Sequence, residues 1–441
     1  MKKIYNISYF WLLTSLFLLI YTFYKDNTNL DAPKNYYVKY YVISFLFLLF
    51  SLSSFFFKKN FKKKIFNIFI FFILSIYTIE ICLVLNKKNL KLNGLDKFSY
   101  YQKFKLSNPN SVLAIDPYNF LNEVNQNLMP LSSISNKLTI HCNELDFFSS
   151  YITDRFGFNN PDSQWDEKIT DFVLVGGRFA HGDCVNEEDN ISGNLKKFSL
   201  NNTAINLGYG GNGPLMEYAS LVEYLPALNV KKVIWLYCER NDLAFNSTEG
   251  LNIELNNSIL LKYLKDKNFS QNLRNRQHEI DIKVSKKLEN MLQKINTQRK
   301  HNELIKFIKV FEIRNHINQF LSQRVQKKQI YEKKISQDFK NIIIEAKNFV
   351  NSRGAEFYFV YITDKTRYTK PVFDIKKNDY QKVINFLIKS EINFIDLHAE
   401  FFNKEKDPLS YFAKSDQGLY THFNKKGYNS ISKLIFEKTK Q

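Results

Sequence analysis

The chain opens with three long apolar runs and then changes character. The runs extend from about Tyr9 to Tyr24, Tyr40 to Phe57 and Ile65 to Leu85, each close to the roughly 20 residues a helix needs to cross a bilayer's hydrocarbon core. They are almost free of charge and rich in Phe, Leu and Ile, which predicts membrane helices rather than buried core helices. The first resembles the apolar region of a signal peptide. No small-residue cleavage site follows it and two further runs come soon after, so all three are expected to be retained. Tyr9, Trp11, Tyr24, Tyr40 and Tyr41 at the span ends fit an aromatic belt. Glu80 lies near the end of the third run, where a carboxylate can reach the interface, and no functional role is assigned to it.

Beyond a polar, Lys-rich stretch from about Asn86 to Leu106, short β-branched or aromatic runs alternate with longer helical patterns. The runs are Phe172 to Val175, Ala204 to Asn206, Val233 to Tyr237, Phe357 to Tyr361 and Phe394 to Asp396. Such alternation predicts a parallel sheet covered by helices. The runs are continuously apolar, as expected of strands buried on both faces. Helices are expected at Glu188 to Phe198, Pro214 to Tyr224, Ser336 to Val350, Asp379 to Lys389 and Lys425 to Lys438. The stretch from about 256 to 334 has helical spacing and no strand signal, and reads as a helical insertion: a solvated excursion first, a lid or partner-binding element second. The expected division is a three-helix anchor over 1–86, a linker and lead-in over 87–135, and an α/β domain over 136–441.

Composition bears on this picture in three places. The 441 residues exceed one typical domain, and 44% hydrophobic with 16% aromatic residues suffices for a sizeable core. A net charge of +19 raises the question of nucleic acid. Lys, Asn, Ile, Phe and Tyr are abundant along the whole chain, however, and no basic patch with interleaved stacking aromatics stands out, so no nucleic-acid partner is expected. The cluster Lys58, Lys59, Lys62, Lys63 and Lys64 favours the cytoplasmic side. Despite Lys87, Lys88, Lys91 and Lys97 after the third span, this places the large domain outside. Cys82, Cys142, Cys184 and Cys238 have no metal-ligand or CxxC spacing; one disulfide among the last three is possible, with a buried free thiol expected at Cys238.

Ligands of open parallel sheets bind beyond the carboxyl ends of strands, and those positions are unusual here. After the first strand comes Gly176-Gly177-Arg178-Phe179-Ala180-His181-Gly182. After the second comes Gly208-Tyr209-Gly210-Gly211-Asn212-Gly213-Pro214, and after the third Glu239-Arg240-Asn241-Asp242. His422-Phe423-Asn424 precedes the last helix. Glycine lets a substrate oxygen approach backbone N–H groups, and an asparagine adds a side-chain donor, the elements of an oxyanion hole. A histidine on the last loop suits a general base. His181 and His398 have no partner spacing and read as surface or internally satisfied residues, and Asp242 as a support for the Asn241 loop.

In this order the segments resemble the SGNH/GDSL hydrolase superfamily, over about Tyr151 to Lys438, with Cys142-Asn143-Glu144 and Asp154-Arg155-Phe156-Gly157 similar to the lead-in of its membrane-anchored bacterial members. The resemblance implies a flavodoxin-like three-layer α/β fold with a parallel sheet, and an ester hydrolase or acyltransferase acting on acyl groups of envelope glycans at a bacterial inner membrane, without metal or cofactor. Its serine position is Arg178 and its oxyanion donors map to Gly211 and Asn241. Its base maps to His422. The acid usually lies three residues before the histidine; that position is Leu419, and Asp416 is the nearest substitute. A guanidinium stays protonated and cannot form an acyl-enzyme, so impaired catalysis is expected, with an inactive glycan-binding scaffold as the alternative.

Overall fold

The computed structural model describes residues 2–28, 36–89, 96–123, 126–144, 147–199, 202–239, 242, 250–317, 335–369, 377–414 and 420–440. They form two compact units. One comprises Met1–Lys88 with Asn302–Arg324, and the other Asn89–His301 with Val325–Gln441. The insertion is thus shared between them.

The first unit contains helices α1 (Lys2–Thr28), α2 (Val38–Ser53) and α3 (Lys59–Asn89). The stretches Ile7–Thr28, Val38–Phe56 and Lys59–Leu85 are long and apolar enough to cross a membrane, and coincide with the three runs expected from sequence. Their interior contacts are small hydroxyls and rings, as suits helices that gain no hydrophobic drive from lipid. Ser15 Oγ and Ser51 Oγ lie 2.9 Å apart, and buried Trp11 meets Phe47, Phe50, Phe66 and Phe69 edge-on. Glu80 does not reach outward. It is 1% exposed and accepts the backbone N–H groups of Glu312 and Ile313.

The second unit is built on five parallel strands: β1 (Thr170–Gly176), β2 (Ala204–Asn206), β3 (Val230–Cys238), β4 (Glu356–Ile362) and β5 (Asn393–Asp396), in the order β2-β1-β3-β4-β5. This is the doubly wound flavodoxin-like order. Strands β1 and β3 begin earlier than the apolar runs suggest, because Thr170 pairs with Val230 before either run starts. Alternate strand residues feed two cores. Val173, Val175, Trp235 and Phe359 join the cluster that contains α6 (Pro214–Tyr224), α8 (Gln337–Asn351) and α9 (Lys377–Lys389). Leu174, Ile234, Leu236 and Val360 join the cluster of α5 (Ile191–Lys197) and α10 (Lys425–Lys438). Three layers result.

Local chemistry sets the helix starts. Ser336 accepts the N–H of Phe339 and Asn424 that of Gly427, so α8 and α10 begin where side-chain caps satisfy free donors. Phe339, Ile342, Ile343, Ala346 and Val350 form the buried stripe of α8. The helix expected from Glu188 starts later, at Ile191, because the Asn190 side chain caps it by accepting the Gly193 N–H. The insertion carries a 32-residue helix, α7 (Gln277–Ile308).

Candidate functional site

The turn after β1 is held open by glycine. A Cβ on Gly176, whose φ is +152°, would lie 2.8 Å from the Leu236 carbonyl oxygen on β3. Arg178 then starts a four-residue helix, α4 (Arg178–His181), that ends at left-handed Gly182. The glycine turn after β2 packs on it: a Cβ on Gly208 would stand 2.4 Å from the Ala180 Cβ, and one on Gly177 3.3 Å from the Asn212 carbonyl oxygen. Only glycines allow the two turns to approach this closely.

Arg178 lines a cavity of about 350 Å³ with Phe179, Cys238 at the end of β3, Thr363, Asp364 and Lys365 after β4, and Glu144, Phe412, Thr421 and His422. His422 sits in β7 (Tyr420–Phe423), antiparallel to β6 (Phe412–Lys414). Its ring lies edge-on against Phe179, with centroids 5.5 Å apart. Its Nδ1 lies 3.0 and 3.1 Å from the two Glu144 oxygens, and its Nε2 lies 3.9 Å from Asp183 Oδ2. Burial opposes ionisation of Glu144, but the bond to His422 outweighs it and holds the carboxyl below its ordinary range. The Lys365 ammonium donates to the Thr421 carbonyl and adds a second cation to the wall.

A disulfide, Cys142–Cys184, ties the Glu144 loop to the end of the Arg178 turn. Cys238 is buried and outside any disulfide, as its place in an apolar strand suggested.

Beneath the turn lies a buried polar cluster. His181 is fully buried, which rules out the surface alternative and fits the internally satisfied one. Its Nε2 lies 3.0 Å from the Tyr151 hydroxyl and its Nδ1 3.3 Å from Asp183 Oδ1. His141 Nε2 is 3.6 Å from the same oxygen. Burial pushes His141 down to about 3, so it is neutral at physiological pH. Burial also works against Asp183, but the surrounding imidazoles hold its carboxyl well below the usual range. Asp116 is raised by burial, and by Asp183, to about 6. The nearby Lys97 ammonium is lowered by burial, against the pull of Asp116 and Asp183.

Asp116, His141 and His181 offer ligand atoms within 4.8 Å of one another, close enough to hold a cation. Lys97 and Arg178 already offset Asp116 and Asp183 there, so a divalent ion would leave the buried set with excess positive charge. In the second such group, Glu144, Cys184 and His422, the cysteine sulfur is committed to the disulfide.

The structure therefore brings Arg178 and His422 to one cavity. Gly211 is not among its lining residues; it takes a φ of +77° beneath the Tyr118 ring, 2.3 Å from where its Cβ would be. Asn241 and Asp416 lie outside the described residues. Asp242 does support its loop, through Oδ2, which accepts the Cys238 N–H. Glu239 pairs with Arg367. Sequence reasoning missed Glu144, Asp116 and His141. The one local signal was Glu144's place two residues after a cysteine, in a segment already singled out.

These features define a doubly wound α/β protein with a charged cleft at the ends of the central strands β1, β3 and β4. No family model matches the chain, and no curated protein matches it. A solved structure from Desulfitobacterium hafniense DCB-2, of a chain assigned to the G-D-S-L lipolytic family, is 10% identical, with 61% of this chain and 99% of that one covered and a TM-score of 0.30. At that score the likeness carries no argument for function.

Proposed function

We propose that this chain is a membrane-anchored SGNH-type protein, with its α/β domain outside a bacterial inner membrane, that recognises acyl or acidic groups of envelope glycans through the Arg178–His422 cavity. Its kind of site would cleave or transfer an acyl ester; with Arg178 in the nucleophile position, it binds such groups and turns them over slowly or not at all. The observation that carries this reading is that Arg178 and His422 line one cavity in which, among the described residues, no serine takes part. A Cys142–Cys184 disulfide supports an oxidising location. The Glu144 and His422 pair supports retention of a general base.

The inactive scaffold has its own support in Arg178 and Lys365. Two cations in one wall suit a carboxylate or phosphate on the ligand, and an arginine fork can bind either through two bonds. Ester hydrolysis by the native protein, by Arg178→Ser and by Arg178→Ser/His422→Ala separates the readings. Activity gained with serine and lost with His422 supports the disabled enzyme. No activity in any version, with saturable binding of an acidic glycan by the native protein, supports the scaffold. Neither activity nor binding would sink both.

A further inference from the structure

Two polar side chains three residues apart on α3 hold a turn that lies more than two hundred residues away in sequence. The Tyr77 hydroxyl donates to the Ile308 carbonyl at 2.9 Å, and the Tyr77 and Phe307 ring centroids are 5.3 Å apart. The two Glu80 oxygens accept the N–H groups of Glu312 and Ile313 at 2.9 and 3.0 Å. Tyr77 thus satisfies a carbonyl at the end of α7, and Glu80 caps the first turn of the helical stretch 311–317. Between them Val310 takes a φ of 45°, a left-handed conformation that a β-branched residue adopts only under constraint.

A carboxylate on an apolar, membrane-spanning helix is costly without partners, and those of Glu80 are peptide groups of the insertion. The stretch of α3 that is long and apolar enough to cross a membrane runs to Leu85, so a bilayer around it would also meet the segment fixed to Glu80. That segment has the composition for it. Ile308 and Ile317 are 56% and 52% exposed, and they stand among Lys306, Lys309 and Arg314, the mixture of apolar and basic residues found in helices that lie in a membrane interface.

We propose that residues 305–317 form a membrane-interface element, separate from the three spans and docked on the C-terminal end of α3 by Tyr77 and Glu80. It sets apolar side chains at the hydrocarbon boundary and Lys306, Lys309 and Arg314 against anionic lipid phosphates. This part of the insertion is then a membrane contact, whereas Leu260, Leu273, Ile280 and Val284 earlier in the insertion are buried in the core of the α/β unit, so neither part is the solvated excursion expected from sequence.

The full chain is placed in nanodiscs of phosphatidylethanolamine and phosphatidylglycerol, with a benzophenone amino acid substituted at position 308, 317 or, as a control on the α/β unit, exposed position 169. Illumination is expected to give phospholipid adducts at 308 and 317 and none at 169. In Tyr77→Phe/Glu80→Ala the adducts fall to the control level, while the Cys142–Cys184 disulfide still forms and reports that the α/β unit has folded; Glu80→Gln, which keeps one acceptor, retains part of the signal. Adducts confined to protein would overturn the proposal, as would lipid adducts that persist undiminished in the double variant.

Discussion

His422 Nδ1 lies 3.0 Å from a carboxylate oxygen of Glu144, a residue 278 positions earlier in the chain. The histidine's partner is thus supplied from upstream of the sheet. A carboxylate in that place fixes the ring's tautomer and stabilises the imidazolium formed when the other nitrogen takes a proton.

In an Arg178→Ser background, Glu144→Gln is expected to lower kcat/KM for an acetyl ester by about tenfold to a hundredfold, because the base loses orientation and charge stabilisation. Glu144→Asp should recover part of this. Steady-state kinetics across pH would check it; equal rates for the three proteins would remove Glu144 from the mechanism.

The Cys142–Cys184 bond closes a loop with a sequence separation of 42, for which loss of chain entropy predicts about 3–4 kcal/mol of stabilisation. Cys184→Ser should lower the melting temperature accordingly, and should also free the Glu144 loop and weaken ligand binding. Calorimetry with and without reductant measures the first effect, titration with ligand the second.

Burial raises the Glu254 carboxyl from an ordinary 4.5 to about 7, although it accepts the N–H groups of Gly213 and Leu215 at the start of α6. The unfolded chain gives up this proton first, so the folded state binds more protons between the two values. Its contribution is therefore full below about pH 4.5 and declines by about 3 kcal/mol as pH rises to about 7. Denaturant titrations should show this slope in the native protein and a flatter one in Glu254→Gln.

Gly208→Ala places a methyl group 2.4 Å from the Ala180 Cβ and 3.0 Å from the Gly176 carbonyl oxygen. One of the two site turns has to move, at about 1–3 kcal/mol of stability. Urea unfolding should record the loss, and ligand affinity should fall with it, since Arg178 rides on the displaced turn.

The five strands were legible because a strand covered on both faces must be apolar at every position, and runs such as Val233 to Tyr237 have few other uses. Arg178 could be singled out because it comes just after the first of these runs, and His422 because it precedes the last helix, where the resemblance puts a base; the strand that carries it was not in the pattern. Glu144 could not, since its partner is set by how a lead-in segment folds over the sheet, and no spacing in sequence encodes that. The same holds for the pairing of Cys142 with Cys184, and for Glu80, whose partners are backbone groups that any residue carries. The helix start at Ile191 rather than Glu188 turned on one capping asparagine, which the helical pattern around it masked.

Arg178 is also a counter-charge. It stands close enough to Asp116 to favour that carboxylate, which even so is raised to about 6. A neutral side chain at position 178 withdraws this support, so Asp116 moves further up. Installing a nucleophile would therefore also shift the titration of a second residue under the same turn, and the pH profile of such a variant would carry the signature of an acid outside the cavity lining.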